Sequence, residues 1–192
     1  MRLLSTVLLV IIAGCSDETI VLQRQLQIMR QAGPCETTGD RRVGRMVLEV
    51  YETSIDLAAE TTGTPQCLNC SMGDGRCDLL DQLCVCGPAI APSVDNLRSA
   101  IAGSVIEQGL GSGLNYCGRV VALVETSTET HEQFEPCACP GLSSDDEFLA
   151  CAATPVFTLG DDSATVPLGL FCEGDTETSL VTAFHACSAS WQ

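Results

Sequence analysis

The spacing of apolar residues predicts a helix near the beginning of the chain. In Asp17–Gln31, Glu18 lies in the first turn and Arg30 in the last, where each charge complements the helix dipole. Gly33 and Pro34 follow as a stop signal. The residues of one apolar stripe are Val21, Leu22, Leu26, Ile28 and Met29.

A second helix is predicted after Pro92. Ser93 is a suitable N-cap, Asp95 lies in the first turn, and Gly109 occupies the position expected of a C′ residue. One face of this segment is apolar, through Val94, Leu97, Ile101 and Val105.

Three segments have the composition of strands. Arg119–Thr126 is typical of a buried strand, and Pro155–Leu159 and Ala164–Phe171 predict two strands joined by the turn residues 160–163. Arg41–Glu60 fits both a strand and one face of a helix, so its structure stays open. Together the patterns predict an α+β fold.

The cysteines divide the chain into regions. From Cys67 to Cys86 they are closely spaced with almost no apolar run, which predicts loops, and Gly87, Pro88 and Pro92 mark a boundary. We expect a disulfide-rich α+β protein with a small Cys-rich N-terminal part and a mixed helix and strand C-terminal part. The expected divisions are a signal peptide at 1–14, an anchor and N-terminal helix at 15–34, a Cys-rich region at 35–92 and a disulfide-bonded region at 93–192.

The first residues have the layout of an export signal. Arg2 gives a positive start, Leu3–Ile12 is apolar but too short to span a bilayer, and small residues follow. The sequence Ile12–Cys15 (IAGC) resembles the lipobox of bacterial lipoproteins. The resemblance implies cleavage before Cys15 and its lipidation, and Ser16 in place of aspartate implies sorting to the outer membrane. An ordinary secretory signal cleaved near Gly14 is the alternative.

The number of cysteines agrees with lipidation of Cys15. Thirteen cysteines cannot all pair within one molecule, but setting Cys15 aside leaves twelve, enough for six disulfides in an exported protein. Their pairing cannot be deduced from the sequence. The twelve are Cys35, Cys67, Cys70, Cys77, Cys84, Cys86, Cys117, Cys137, Cys139, Cys151, Cys172 and Cys187.

The chain is strongly acidic. Its formal charge of −16 becomes −17 when Arg2 is cleaved off with the signal, and it contains no lysine. Such a surface repels phosphate backbones, so we predict no nucleic-acid partner. The expected partners are a membrane, through the lipid anchor, and a protein or cationic ligand.

Cys67 and Cys70 have the Cys-x-x-Cys spacing of thiol oxidoreductases. Pro65 before the pair and Gly73 after it are incompatible with a long helix, which favours structural disulfides. The same pair could hold zinc together with Cys84 and Cys86, but a single residue between the last two chelates a tetrahedral ion poorly. We therefore predict no metal and no cofactor.

A short segment, Gly75–Cys86, is similar to the second half of an EGF-like module, in which a glycine and a Cys-x-Cys pair hold a small hairpin. The similarity covers about a dozen residues and ends there, because the next cysteine is Cys117. It implies an extracytoplasmic interaction module.

The candidates for other chemistry lack their usual motifs. Loop carboxylates could bind calcium, but they do not follow the spacing of an EF-hand. Ser112 lies among glycines without the pattern of a nucleophile elbow, and His131 and His185 are isolated. We expect a non-enzymatic envelope protein for binding, adhesion or structure, with an exported enzyme such as an oxidoreductase using Cys67 and Cys70 as the alternative. The acidic groups are Asp74, Asp78 and Asp81; Asp145, Asp146 and Glu147; and Asp161 and Asp162.

Overall fold

A computed structural model describes residues 20–21, 26–29, 35, 40–54, 65–70, 75–103, 107–108, 110, 113–125, 131–158 and 166–191. Within these ranges the chain forms ten strands, two α-helices, and a 3₁₀ turn at Gln66–Asn69. The helices are α1 (Val94–Gly103) and α2 (Thr178–Ala189). The strands are β1 (Ile20–Val21), β2 (Leu26–Met29), β3 (Val43–Thr53), β4 (Cys77–Ile90), β5 (Glu107–Gln108), β6 (Asn115–Val124), β7 (Glu135–Cys137), β8 (Phe148–Ala153), β9 (Phe157–Thr158) and β10 (Val166–Cys172).

One mixed sheet contains eight of these strands. Its order is β2-β10-β8-β6-β3-β4-β7, and β9 pairs with β6. β2 runs parallel to β10, whereas the other pairs are antiparallel. β1 and β5 form a separate antiparallel pair. The sheet joins strands from the 35–92 region to strands from the 93–192 region.

The centre of the sheet is covered on both faces. β3, β6 and β8 are buried along almost their whole length, as their continuous apolar sequences require. Because side chains alternate along a strand, Met46 and Leu48 pack on one face of β3 while Val47 and Tyr51 pack on the other. The first face, called here the α1 face, includes Leu97, Ala100 and Ile101; the opposite α2 face includes Leu180, Phe184 and Cys187.

Several sequence predictions agree with this architecture. The fold is α+β and disulfide-rich, the segment 119–126 lies largely in buried β6, and the ambiguous segment 41–60 contains β3. Ser93 caps α1, since its Oγ accepts a hydrogen bond of 3.2 Å from the Asn96 amide. The helix ends at Gly103 instead of reaching Gly109, because Glu107–Gln108 pairs with Ile20–Val21 as a strand.

The predicted helix at Asp17–Gln31 is wrong in its described part. Ile20–Val21 and Leu26–Met29 are strands, and the second of these pairs in parallel with β10. In so short a segment the apolar residues fit both the helical period of 3.6 residues and the strand period of 2 residues. Pairing with another strand then decides which structure forms. The stop signal at 33–34 lies outside the described residues.

The prediction of loops from Cys67 to Cys86 is also wrong for the second half of that segment. Cys77–Ile90 is one continuous strand where the EGF-like resemblance implied a small hairpin, and it runs through the expected boundary at Gly87 and Pro88. Gly75, with a φ of +71°, forms the bend before it. Cysteines replace the usual apolar residues of this strand, which conceals its pattern: Cys77 and Cys84 are buried.

The two strands predicted around the turn at 160–163 are present but do not pair with each other. Within the described residues β9 comprises Phe157–Thr158 and pairs with β6, whereas β10 pairs with β8 and β2. β9 and β10 pair with β6 and β8 because these are longer apolar strands than the two would be for each other in a local hairpin. The turn residues themselves lie outside the described ranges.

Candidate functional site

The structure pairs the twelve candidate disulfide cysteines with one another. Cys15 lies outside the described residues. Cys84 and Cys86 are two residues apart on β4, so both side chains lie on the same face of the strand. Their partners, Cys137 at the end of β7 and Cys139 just after it, belong to the segment that pairs with β4. The six bonds are Cys35–Cys172, Cys67–Cys117, Cys70–Cys77, Cys84–Cys139, Cys86–Cys137 and Cys151–Cys187.

The Cys-x-x-Cys pair is divided between two of these bonds. Cys67 and Cys70 lie at either end of the 3₁₀ turn; the first bonds to β6 and the second to β4. The four cysteines weighed as zinc ligands do not share one site, because Cys84 and Cys86 bond elsewhere. Within the described residues, the sulfur atoms of Cys67, Cys70 and Cys117 lie within 4.8 Å of one another.

A buried polar cluster lies on the α2 face beside these disulfides. Its centre is Arg119 on β6, which is only 4% exposed. Arg119 Nε donates to Glu49 Oε2 at 2.7 Å, and Nη2 donates to the Tyr51 hydroxyl at 2.7 Å. Nη1 donates to the backbone oxygens of Ser190, at 2.8 Å, and Cys70, at 3.3 Å. Each nitrogen of the guanidinium therefore has a partner.

The partners of Arg119 are themselves held in place. Tyr51 donates its hydroxyl hydrogen to Glu49 at 2.5 Å, and Gln82 Nε2 donates to the other carboxylate oxygen at 2.8 Å. The Trp191 ring lies 4.3 Å from the guanidinium carbon, within the range of a cation–π contact. Burial and the hydrogen bond to Glu49 raise the pKa of Tyr51, against the opposing charge of Arg119. The cluster joins β3, β6, the 3₁₀ turn and the end of α2.

This cluster is absent from the sequence predictions above, although the sequence carries a signal of it. Glu49 and Arg119 are single charges inside otherwise apolar strand sequences, MVLEVY and GRVVALV. Since a charge in a buried strand needs a partner, such interruptions predict a buried ion pair. Its solvent exclusion suits a structural role and leaves no access for a substrate.

The acidic group at Asp145, Asp146 and Glu147 is partly engaged in ion pairs. Asp146 Oδ1 lies 2.5 Å from Arg45 Nη2, and Glu147 pairs with Arg41, which also contacts Glu173 at 2.6 Å. Asp146 additionally accepts the Ser143 amide hydrogen at 2.7 Å. These carboxylates stabilise the approach to β8. Asp78 and Asp81 lie on β4; Asp74, Asp161 and Asp162 lie outside the described residues.

The two histidines lie in separate elements. His131 Nδ1 is 2.6 Å from Glu135 Oε1, an exposed carboxylate at the start of β7. His185 lies on the exposed side of α2, with its ring next to that of Phe184. Ser112 lies outside the described residues, so the structure offers no geometry for a nucleophile there.

An open groove lies between α1, the end of β4 and the segment before β7. Its volume is about 370 Å³, within the range of small-ligand sites. The lining combines an aromatic ring with amide and hydroxyl groups, and all of its members are uncharged in this acidic protein. They are Pro88, Ile90, Asn96, Ser99, Ala100, Gln133 and Phe134.

One wall of the groove depends on a glycine. A Cβ atom at Gly87 would lie 2.5 Å from the Phe134 ring and 2.9 Å from its Cα, so the aromatic residue can approach β4 only where a side chain is missing. The groove was not identified from the sequence, where Phe134 appears as a single aromatic residue in a polar segment.

Comparison with protein-family models, curated proteins and solved structures found no match. Among the described residues, neither helix is long and apolar enough to cross a membrane.

Proposed function

We propose that the protein is a lipid-anchored, non-enzymatic component of the cell envelope whose disulfide-bonded body serves in binding, adhesion or envelope structure. The observation that carries this proposal is the use of the cysteines. Six disulfides consume twelve of the thirteen, and the thirteenth is Cys15 in the lipobox-like sequence. Lipid attachment through the Cys15 thiol accounts for the odd cysteine.

Extensive crosslinking supports an oxidising location. Disulfides persist in the periplasm and at cell surfaces, whereas cytosolic thiols are kept reduced. Four of the six bonds join cysteines at least 50 residues apart, so each would restrict the unfolded chain strongly. Ser16, in place of the aspartate that retains such proteins in the inner membrane, makes the outer membrane the proposed location.

The arrangement of reactive groups supports a non-enzymatic role. Cys67 and Cys70 are each bonded to another cysteine, and Arg119 is enclosed by its partners. His131 is paired with Glu135, and His185 lies on the exposed side of α2. These groups do not form the mutual contacts that nucleophilic or general base catalysis requires.

The groove is the candidate site for a binding role. Its amide and hydroxyl groups can donate and accept hydrogen bonds, and Phe134 supplies an apolar surface. An uncharged ligand with hydroxyl groups and one apolar face, such as a neutral oligosaccharide, fits this lining better than a cation does.

Substitution of Cys15 tests the anchor. We expect Cys15→Ala to remain unprocessed or to partition into the aqueous phase of a cloud-point detergent, because the attachment point is lost, while Ser16→Ala partitions like the wild type. A Cys15→Ala protein that enters the detergent phase as fully as the wild type would refute lipidation.

Calorimetric titration with an uncharged N-acetylated oligosaccharide tests the groove. We expect wild-type binding to weaken at least tenfold in Ser99→Trp, whose ring would fill the cavity, and to be unchanged in Ala186→Trp on the exposed side of α2, across the sheet from the groove. If the wild type does not bind the probe, this ligand class is wrong, and the anchor proposal is unaffected.

A further inference from the structure

Two disulfides lie in contact beneath the 3₁₀ turn. Cys70 is bonded to Cys77 and Cys117 to Cys67, yet the sulfur atoms of Cys70 and Cys117 are only 3.7 Å apart. That separation is close to van der Waals contact between sulfur atoms. The sulfurs of Cys67, Cys70 and Cys117 all lie within 4.8 Å of one another, so Cys70 Sγ lies to the side of the Cys67–Cys117 bond. A Cys70 thiolate released from Cys77 would reach that disulfide in line after rotation of its side chain.

The four cysteine residues differ in their exposure to solvent. Cys67, Cys70 and Cys117 are fully buried, whereas Cys77 retains 8% exposure at the start of β4. An external reductant would therefore reach the Cys70–Cys77 bond through Cys77, the bond's more accessible end. Access to a sulfur is one of the factors that set the rate of thiol–disulfide exchange.

We infer that these four cysteines form a thiol–disulfide exchange site, in which a dithiol reductant opens Cys70–Cys77 and Cys70 then exchanges with Cys67–Cys117. This goes beyond the proposed function and does not depend on lipidation of Cys15.

The exchange is balanced in atoms and electrons. One thiolate of the dithiol attacks Cys77 Sγ, forming a mixed disulfide and releasing Cys70 as a thiolate. Cys70 attacks Cys117 Sγ, forming Cys70–Cys117 and releasing Cys67 as a thiolate, which takes up a proton. The second thiol of the reductant resolves the mixed disulfide, leaving Cys77 as a thiol and the reductant as a cyclic disulfide. The net transfer is two electrons and two protons to the protein.

Two polar groups border the four cysteines. Arg119 Nη1 donates to the Cys70 backbone oxygen at 3.3 Å, which fixes the Cys70 backbone, while the charge of Arg119 is balanced by Glu49. On the other side, the Thr53 hydroxyl lies 3.5 Å from Cys77 Sγ. The Thr53 hydroxyl is thus a polar neighbour of the Cys77 sulfur, which becomes a thiol at the end of the exchange.

The two crosslinks that compete in the exchange close loops of almost equal length. Cys67–Cys117 spans 50 residues and Cys70–Cys117 would span 47, so their loop-closure entropies are nearly the same. We therefore expect both isomers to be populated after two-electron reduction. In either isomer the 3₁₀ turn stays attached to β6, so only the short loop closed by Cys70–Cys77 is released.

Partial reduction followed by mass spectrometry tests the inference. The intact protein is treated with less than one equivalent of dithiothreitol, trapped with N-ethylmaleimide, and digested; fragmentation between Leu68 and Asn69 then distinguishes a label on Cys67 from one on Cys70. We expect at least one tenth of the two-electron-reduced molecules to carry labels on Cys67 and Cys77 together with a Cys70–Cys117 crosslink. The matched control, Cys70→Ser/Cys77→Ser, lacks the attacking thiol, and at the same dose its Cys67 should be labelled at least tenfold less.

Three outcomes would overturn the inference. The first is labelling confined to Cys70 and Cys77 in the wild type, and the second is initial labelling at any of the other eight disulfide cysteines. The third is a Cys67 that is labelled as strongly in the control variant as in the wild type. The wild-type experiment decides by itself if the control variant fails to fold.

Discussion

Arg119 and Glu49 lie directly opposite each other on neighbouring strands, and their side chains form an ion pair of 2.7 Å on the α2 face. Both side chains are almost fully buried, at 4% and 6% exposure. A buried pair is stable only when its remaining hydrogen-bonding groups are satisfied, and Tyr51, Gln82 and Ser190 satisfy them here. Four parts of the fold therefore depend on one guanidinium.

Removing this guanidinium should destabilise the protein severely. We predict that Arg119→Ala lowers the free energy of unfolding by about 3–5 kcal/mol, because it leaves Glu49 buried without its cation. Denaturant unfolding measures the loss. Arg98→Ala is the matched control: its exposed pair with Asp95 should contribute less than about 1 kcal/mol.

A double substitution separates the charge from the packing. Glu49→Leu/Arg119→Met removes both charges and should recover at least half of the loss caused by Arg119→Ala, because no uncompensated charge remains. A loss of less than about 1 kcal/mol in the free energy of unfolding for Arg119→Ala would show that the ion pair does not hold these parts of the fold together.

Tyr51 should make stability depend on pH in the alkaline range. Its pKa is raised above the ordinary value of 10.0 in the folded protein, mainly by burial. Below pH 10 the Tyr51 phenol is protonated in both the folded and the unfolded protein. Above pH 10 the unfolded chain loses this proton, whereas the folded protein keeps it because its pKa is higher. Stability should therefore fall by up to about 1.4 kcal/mol for each pH unit above 10.

The alkaline dependence can be measured by chemical unfolding at several pH values on either side of 10. The chain contains no lysine, so tyrosines dominate titration there. Tyr51→Phe should have a smaller slope than the wild type. Equal slopes would contradict the assignment to Tyr51.

Long apolar segments allowed much of the fold to be predicted from the sequence. β6 and the Ser93-capped start of α1 follow from local pattern and capping chemistry. The short segments could not be assigned this way, because Leu26–Met29 becomes a strand only through its pairing with β10. β4 was missed because its cysteines interrupt the apolar alternation that normally identifies a strand.

The candidate sites were less predictable than the fold. Disulfide partners such as Cys35 and Cys172 are 137 residues apart, and their pairing depends on the order of strands in the sheet. The groove likewise combines residues from three segments. The buried ion pair could in principle be predicted from the sequence, because Glu49 and Arg119 are isolated charges in apolar strand segments.

The close approach of Phe134 to Gly87 predicts that a larger residue at position 87 destabilises the protein. Gly87→Ala would bring a methyl group against both the ring and the backbone of Phe134, and we expect a loss of about 1–3 kcal/mol. Thermal unfolding checks this. Gly141→Ala, where no atom lies within 4 Å of the added carbon, should change stability by less than about 0.5 kcal/mol; equal effects at both positions would contradict the contact.

The disulfides should differ in their contributions to stability. Chain-entropy reasoning gives about 4 kcal/mol for Cys151–Cys187, which closes a 36-residue span, and about 2 kcal/mol for Cys70–Cys77, which closes 7. The double serine variants of each pair, compared by urea unfolding, should follow that order. The reverse order would mean that strain or packing outweighs loop length.

Lipidation of Cys15 and the pairing of the other twelve cysteines can be tested together by the intact mass of the protein extracted from membranes, measured without reduction before and after alkylation. We predict a chain that begins at Cys15, carries a diacylglycerol-derived modification, lacks twelve hydrogens relative to the fully reduced form, and takes up no alkylating reagent. A chain that retains residues 1–14 or carries no lipid would contradict lipidation at Cys15, and one in which two or more cysteines react would contradict the six disulfides.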